Sequence, residues 1–337
     1  MEKTASIYQD MAARTGGSVY IGVVGPVRTG KSTFVKRFME TQVLPHIDNV
    51  YRRDRAQDEL PQSGSGRTIM TAEPKFVPEE AVEIQLAEGV RFSVRLVDCV
   101  GYMVDSAVGQ FEDLAPRMVM TPWFDHEIPM TEAAELGTRK VITDHATVGV
   151  VVTTDGTVAE LPREAYVPAE EQVIRELKTL GKPFAVVLNS AQPESRQAKE
   201  LQAAMSEKYD APVTLLSAKE MTAEDVQGVM RDLLSAFPLR EMRFTLPEWV
   251  SALDDQHWLT QHIVSLVREA GAQIARMRDA EKAQSAFAAS EDADTPQLDQ
   301  LEYGEGSARF SLPLKNGLFN QILSEQCGAE IESDGHL

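Results

Sequence analysis

The stretch VVGPVRTGKSTFVKRFME, Val23 to Glu40, constrains this chain more than any other. Gly25, four residues, then Gly30-Lys31-Ser32 form the G-x-x-x-x-G-K-S pattern of a phosphate-binding loop. The flanks give the pattern its weight. SVYIGVVG reads as a buried strand and KSTFVKRFME as an amphipathic helix. Glycines let backbone N–H groups turn inward, and the helix N-terminus adds partial positive charge at the same point. The candidate cradle is Gly25, Pro26, Val27, Arg28, Thr29, Gly30, Lys31, Ser32 and Thr33. Lys31 can reach the β- and γ-phosphates, and the Ser32 hydroxyl can ligate Mg2+. A structural glycine turn would match this pattern only by accident.

The pattern around the loop predicts an α/β fold. From Tyr20 to about Pro238 strands and helices alternate: VRFSVRLVDCVG, TVGVVVTT, KPFAVVLN and PVTLLSA as strands, with MTEAAELGTRKVITDH, PAEEQVIRELKTLG, ESRQAKELQAAMSEKY and TAEDVQGVMRDLLSAF as helices. Thr222 is the expected N-cap of the last, with Asp225 three positions on. Apolar strands alternating with helices imply a mostly parallel sheet with helices on both faces. After Pro238 the texture changes. EMRFTLPEWV suggests a strand, Leu253 to Phe287 one long helix, ASEDADTPQLDQ an acidic linker, and ARFSLPLKNGLFNQILSEQ a strand, turn and short helix. The expected organisation is a nucleotide-binding domain over 1–238 and a smaller α+β domain over 239–337.

Composition excludes several classes. A net charge of −19 argues against nucleic-acid binding and against unaided adsorption to an anionic membrane. No apolar run approaches the roughly 20 residues that span a bilayer. The N-terminus has no apolar core of a secretion signal. Cys99 and Cys327 are too few for a disulfide framework. No metal-ligand spacing appears, and the scattered histidines suit surface or capping roles. A cytoplasmic protein is expected.

Further motifs narrow the site. RLVDCVG places Asp98 at a strand end and Gly101 three residues on, the D-x-x-G element of a GTPase-type switch. Asp98 would hold Mg2+, and the Gly101 N–H would touch the γ-phosphate. In GSGRTIMTAEPKF, Thr68 and Thr71 are candidates to sense the γ-phosphate, Thr71 also as a metal ligand. An ordinary strand end and a plain surface loop are the competing readings. Guanine readers use N-K-x-D after a strand. Here the equivalent end reads Asn189-Ser190-Ala191-Gln192, so the Asn is present while the Lys and Asp are absent. Removing the partner of buried base donors removes much of the discrimination. Ser217-Ala218-Lys219 matches the later S-A-K element, which works mostly through backbone. A GTPase fold with ATP as the expected substrate follows. Tyr102 stands where Ras-like enzymes carry a water-orienting Gln, so slow hydrolysis or another device is expected. Arg28 is a candidate charge at the transition state, or an Arg paired with an acidic neighbour.

Together these residues resemble the stage IV sporulation protein A family. The resemblance runs through ARTGG, GPVRTGKSTFVKRFME, RAQDELPQSGSGRTIMTAEPKFVP, RLVDCVGYMV, PRMVMTPWFDHEIPMTEAAELGTRKVITDHATVGVVVTTDGT and LPEWVSALDDQHWL, nearly the whole chain. It implies a P-loop protein of the GTPase lineage that hydrolyses Mg-ATP and couples hydrolysis to self-assembly into a static polymer, the base layer of the bacterial endospore coat. It implies a mother-cell location, peripheral at the outer forespore membrane, with a small amphipathic membrane peptide and other coat proteins as partners. Lys31, Ser32 and Asp98 take the phosphate and metal roles. The family's second sensor threonine is Ala72 here, which puts redundancy of the sensor in doubt. The family continues for about one more domain, which carries membrane-peptide docking and much of the polymer contact. That region is expected to be missing, leaving residues 239–337 an incomplete middle domain. A regulatory switch GTPase and a nucleotide-binding scaffold with little turnover are the other classes the residues allow.

Overall fold

The computed structural model describes residues 2–61, 73–85, 91–104, 111–112, 115–159 and 161–331. The chain divides into two compact units, Met1–Ala236 and Phe237–Leu337. In the first, six strands form one sheet: β1 (Ser18–Val24), β2 (Lys75–Gln85), β3 (Arg91–Asp98), β4 (Val148–Thr154), β5 (Phe184–Asn189) and β6 (Val213–Leu216), in the order β6-β5-β4-β1-β3-β2. All neighbours run parallel except β2, which closes one edge antiparallel to β3. Every residue of β4 and β5 is buried, as continuous apolar strands of a sheet covered by helices should be.

The flanking helices are α1 (Glu2–Thr15), α2 (Lys31–Phe38), α3 (Val50–Asp58), α4 (Met130–Lys140), α5 (Arg163–Thr179), α6 (Arg196–Tyr209) and α7 (Ala223–Ser235). Their apolar faces follow helical spacing. On α5, Tyr166, Glu170, Val173, Ile174 and Leu177 are buried, and Val173, Ile174 and Leu177 share a cluster with Val151, Val186 and Leu188 of the sheet. The expected capping box closes the start of α7. Thr222 accepts from the Asp225 N–H at 3.3 Å, and the Asp225 carboxylate accepts from the Thr222 N–H at 2.8 Å.

Some local expectations are corrected. Helix α5 starts at Arg163, five residues ahead of Pro168, so the proline lies inside the helix rather than opening it. Strand β2 was not legible because Pro78, Glu79 and Glu80 interrupt its alternation. The ladder to β3 shifts register at that point, between Val77 and Val82. Helix α1 buries Ile7 and Met11, too sparse an apolar stripe to read from sequence.

The second unit is a three-stranded sheet, β7 (Glu241–Thr245), β8 (Gln297–Glu302) and β9 (Ser307–Ser311), in the order β7-β9-β8, with β7 parallel and β8 antiparallel to β9. Phe244 stacks on Phe310 at 4.9 Å and meets Phe287 at 5.8 Å. The single long helix expected here is broken. Helix α8 (Trp258–Gln273) ends where Ile274 turns extended, a 3-10 turn follows over Met277–Lys282, and α9 (Ala283–Phe287) is short. The break folds Ala280 and Phe287 into the same core as Leu259 and Ile263, which a continuous helix could not do. The acidic linker also gives way in part to structure: its end, Gln297–Gln300, lies in β8, whose outer residues are polar because that strand is at the sheet edge. Helix α10 (Leu318–Cys327) completes the unit.

The fold carries one costly polar element. Glu170 is fully buried on α5 and accepts from Arg163 at 2.6 Å, from the Tyr209 hydroxyl at 2.5 Å, and from the Thr153 hydroxyl at the end of β4. Removing one member of such a set leaves uncompensated buried charge. Glu170→Ala is therefore expected to lower unfolding free energy by about 3–5 kcal/mol. Urea titration checks this, with Arg196→Ala, which breaks the exposed Arg196–Glu200 pair, leaving the midpoint nearly unchanged.

Candidate functional site

Register sets the site. Strand β1 lies between β3 and β4, with Val23 opposite Asp98 and Val24 opposite Val151. The chain therefore leaves β1 at Gly25 in the crevice between two parallel strand ends, where ligands of open α/β sheets bind. Gly25 sits at φ 135°, and a Cβ there would stand 2.3 Å from the Val152 carbonyl oxygen. No residue with a side chain fits. Arg28 is left-handed at φ 64° and Gly30 at φ 97°. The loop is braced from within: the buried Thr29 hydroxyl lies 2.6 Å from the Val152 carbonyl and 3.0 Å from that of Pro26. Helix α2 then begins at Lys31, its N-terminus free of any side-chain cap.

Three sequence-predicted residues meet here. The Ser32 hydroxyl donates to Asp98 Oδ2 at 2.6 Å. Lys31 is 5% exposed and its Nζ donates to the Pro26 carbonyl at 2.6 Å. Burial pulls the Lys31 ammonium below its ordinary range, opposed by Cys99 and Asp98. Burial pushes the Asp98 carboxyl up, opposed by the Ser32 hydrogen bond and the Lys31 charge. Asp98 Oδ1 is buried without a hydrogen-bond partner. An orphaned carboxylate oxygen beside a serine hydroxyl is a hard-oxygen donor set that fits Mg2+, an ion bound by one or two carboxylates with phosphates and water completing the shell.

The D-x-x-G turn lies against the loop. The Tyr102 N–H donates to the Gly25 carbonyl at 3.1 Å, and the Val27 N–H to the Tyr102 carbonyl at 2.9 Å. Gly101 is at φ 93°, and a Cβ there would lie 2.1 Å from the Gly25 oxygen and 2.5 Å from Lys31 Nζ. The buried Cys99 thiol, pushed up to about 11 by burial, donates to the Val23 carbonyl at 3.4 Å and lies 3.6 Å from the Thr138 hydroxyl. The Tyr102 side chain is 1% exposed and points into the core, its hydroxyl 2.5 Å from Glu176.

Asn189 ends β5 beside the loop. Its Nδ2 donates to the Thr29 carbonyl at 2.9 Å, and its Oδ1 accepts from the Ala218 N–H at 2.9 Å. Asn189 thus fastens the phosphate loop to the Ser217–Ala218 turn, with Ser217 half-buried and Ala218 buried. Arg28 and Thr33 are half-buried; the Arg28 charge opposes the upward shift that burial gives the Tyr166 phenol on α5. Thr68 and Thr71 lie outside the described residues. Sequence reasoning missed Asp155 and Thr157. The Thr157 hydroxyl accepts from the Ala191 N–H at 2.8 Å and donates to Asp155 at 2.6 Å, securing the loop after Asn189. The turn-forming TTDGT was the available signal. Among the described residues no group of three or more His, Cys, Asp or Glu side chains could hold a metal ion.

Comparison with known proteins places the chain in a family. The model for the stage IV sporulation protein A ATPase domain matches residues 1–238, and that for its middle domain residues 239–337. The chain is 49% identical over 337 residues to stage IV sporulation protein A of Bacillus anthracis and 48% identical over 337 residues to that of Bacillus subtilis (strain 168), covering 100% of this chain and 68% of each relative. It is 47% identical over 332 residues to that of Clostridioides difficile (strain 630), covering 98% of this chain and 68% of the relative. With both models matched and half the residues shared along its length, the chain belongs to the stage IV sporulation protein A family.

Proposed function

We propose that this protein binds and hydrolyses Mg-ATP and uses the hydrolysis to drive its own assembly into the base layer of the endospore coat. The observation that carries this is the meeting of Lys31, Ser32 and Asp98 at the open end of the sheet, beside a helix N-terminus. Lys31 would lie along the β- and γ-phosphates. Ser32 and Asp98 would hold Mg2+, which when bound neutralises developing phosphate charge. The loop amides orient the phosphates, and burial strengthens each of these contacts by excluding water. Thr68 and Thr71 are proposed as the sensor of the γ-phosphate, with Thr71 toward the metal. ATP is proposed over GTP because Asn189 keeps its place in the loop framework while Ser190, Ala191 and Gln192 offer no carboxylate to guanine.

Residues 1–238 are proposed as the nucleotide-driven part and 239–337 as a middle domain, with other copies of the chain as partners. The amphipathic membrane peptide, the other coat proteins and the mother-cell face of the outer forespore membrane follow from family membership as proposals. Among the described residues no helix is long and apolar enough to cross a membrane, consistent with a peripheral attachment. One observation favours a second reading, a scaffold with little turnover: Tyr102 is buried against Glu176 and offers no group to a water at the phosphate.

Phosphate release with Mg-ATP and Mg-GTP, with the pellet weighed after centrifugation, separates the readings. ATP turnover with pelleting is expected; GTP preference returns the chain to the switch GTPases, and binding without turnover to the scaffold. In the same assay Lys31→Ala is expected to weaken ATP binding by ~3 kcal/mol, over a hundredfold, through loss of charge-assisted contacts. Asp98→Ala should retain part of the binding and lose hydrolysis. If Arg28 supplies transition-state charge, Arg28→Ala slows turnover by at least about tenfold, Arg28→Gly does the same while relieving the left-handed backbone, and Arg196→Ala changes nothing. Equal rates in all three would end the proposed Arg28 role.

A further inference from the structure

We infer that Tyr102 is a positioning residue, whose phenol is bolted to Glu176 so that its backbone can hold the D-x-x-G turn against the phosphate loop. This rests on the ATP-hydrolysing reading above and assigns Tyr102 a task other than orienting water. Three sets of contacts carry it. First, Tyr102 pairs with the loop on both sides, through Gly25 and Val27, so one residue adds an extra parallel rung between loop and turn. Second, the fit that this rung enforces is tight. Gly101, directly before it, lies so close to the Gly25 carbonyl and Lys31 Nζ that not even a methyl group could intervene. A small retreat of Tyr102 would therefore open the spacing between Gly101, Lys31 and Asp98. Third, the side chain is fixed at its far end. The phenol donates to Glu176 Oε2 on α5 at 2.5 Å, while Glu176 Oε1 takes Arg139 of α4 at 3.4 Å. Glu176 is thus shared by a buried phenol and a guanidinium, which fixes the carboxylate and through it the tyrosine.

The same geometry explains why a tyrosine is used. An aliphatic side chain would fill the core position but leave the turn free to slide. The phenol reaches across the cluster formed by Val27, Val104, Tyr166 and Val173 and ends on a charged acceptor, where its hydrogen bond is stronger than a neutral one. A side chain committed in this way is not available to a water molecule at the γ-phosphate. Its influence on chemistry passes through the backbone N–H and C=O it holds in place. Ground-state ATP binding depends mainly on the loop and Lys31, which the bolt leaves in place. The transition state depends also on where Gly101 and Asp98 stand, so loosening the bolt should appear in kcat rather than in KM.

The test uses the whole chain and four variants, Tyr102→Phe, Glu176→Gln, the double variant carrying both, and Tyr102→Gln, with ATP turnover and hydrogen exchange of the Val27 and Tyr102 amides. Tyr102→Phe is expected to lower kcat by roughly tenfold with KM for ATP within about twofold, and to speed exchange at both amides. Glu176→Gln is expected to give the same split in weaker form. The double variant should be no slower than Tyr102→Phe, because both changes remove one interaction. Tyr102→Gln is expected to be as slow as Tyr102→Phe or slower. Faster turnover in Tyr102→Gln would overturn the inference, since a water-orienting group would then be what the site lacks. So would unchanged kcat and unchanged amide exchange in Tyr102→Phe, even alongside a lower melting temperature, since the phenol would then only stabilise the core. If the wild-type chain itself binds but does not hydrolyse ATP, the hydrolytic reading fails. Amide exchange then decides the bolt separately: faster exchange in Tyr102→Phe keeps it, and no change removes it.

Discussion

The approach of Gly25 to the Val152 carbonyl is the constraint on which the rest of this site depends. A Cβ at that position would fall 2.3 Å from the oxygen, inside any allowed contact, and the backbone stands at φ 135°. Only glycine can leave β1 this way. Because it does, the loop drops between β3 and β4 rather than passing over them. The Thr29 hydroxyl can then reach the same Val152 carbonyl, and Asp98, across from Val23 in register, stands beside the first turn of α2. The phosphate loop is thus seated by the sheet before any nucleotide is considered.

Electrostatics follow from that seat. Lys31 and Asp98 are both withdrawn from water, and burial disfavours the charged form of each. Each opposes this shift in the other, and the Ser32 hydrogen bond opposes it at Asp98, while Lys31 donates to the Pro26 carbonyl. Such an arrangement is poorly solvated and well ordered, which is the condition under which opposite charge is bound strongly. Asp98 Oδ1 has no hydrogen bond, so the set retains capacity for a further positive partner. The cost of burying these groups is carried by the sheet core around them.

Much of this was legible in the sequence, for reasons that differ by element. The parallel sheet could be read because β4 and β5 are apolar runs whose polar residues, Thr153, Thr154 and Asn189, fall only at their ends. The capping box of α7 could be read because Thr222 and Asp225 act locally. Local rules failed where packing at long range decides. The helical pattern from Leu253 to Phe287 is real over Trp258–Gln273. Beyond it the chain breaks because burying Ala280 and Phe287 in the same core as Leu259 and Ile263 outweighs continuing the helix. Strand β2 hid behind Pro78 and two glutamates. At the site, Lys31, Ser32 and Asp98 were readable from spacing. The Tyr102–Glu176 and Thr157–Ala191 contacts were not, because each joins residues tens of positions apart.

Asn189 shows how the segment that ends β5 is divided between framework and surface. Both ends of its amide are spent on protein: Nδ2 on the Thr29 carbonyl and Oδ1 on the Ala218 N–H. It is 5% exposed, and a Cβ added at Gly30 would strike its amide at 2.4 Å. Replacing it would leave a buried carbonyl and a buried N–H without partners and open a space under the loop. Of the next three positions Ser190 is also buried, and only Ala191 and Gln192 carry no such burden. Ser190 caps the Gln192 N–H at 3.0 Å, Thr157 takes the Ala191 N–H, and Ala191 and Gln192 face solvent. Side chains there can change without disturbing Lys31 or Asp98. The segment therefore splits along a physical line: Asn189 holds the loop to the Ser217–Ala218 turn, and Ala191 and Gln192 stand clear of that framework.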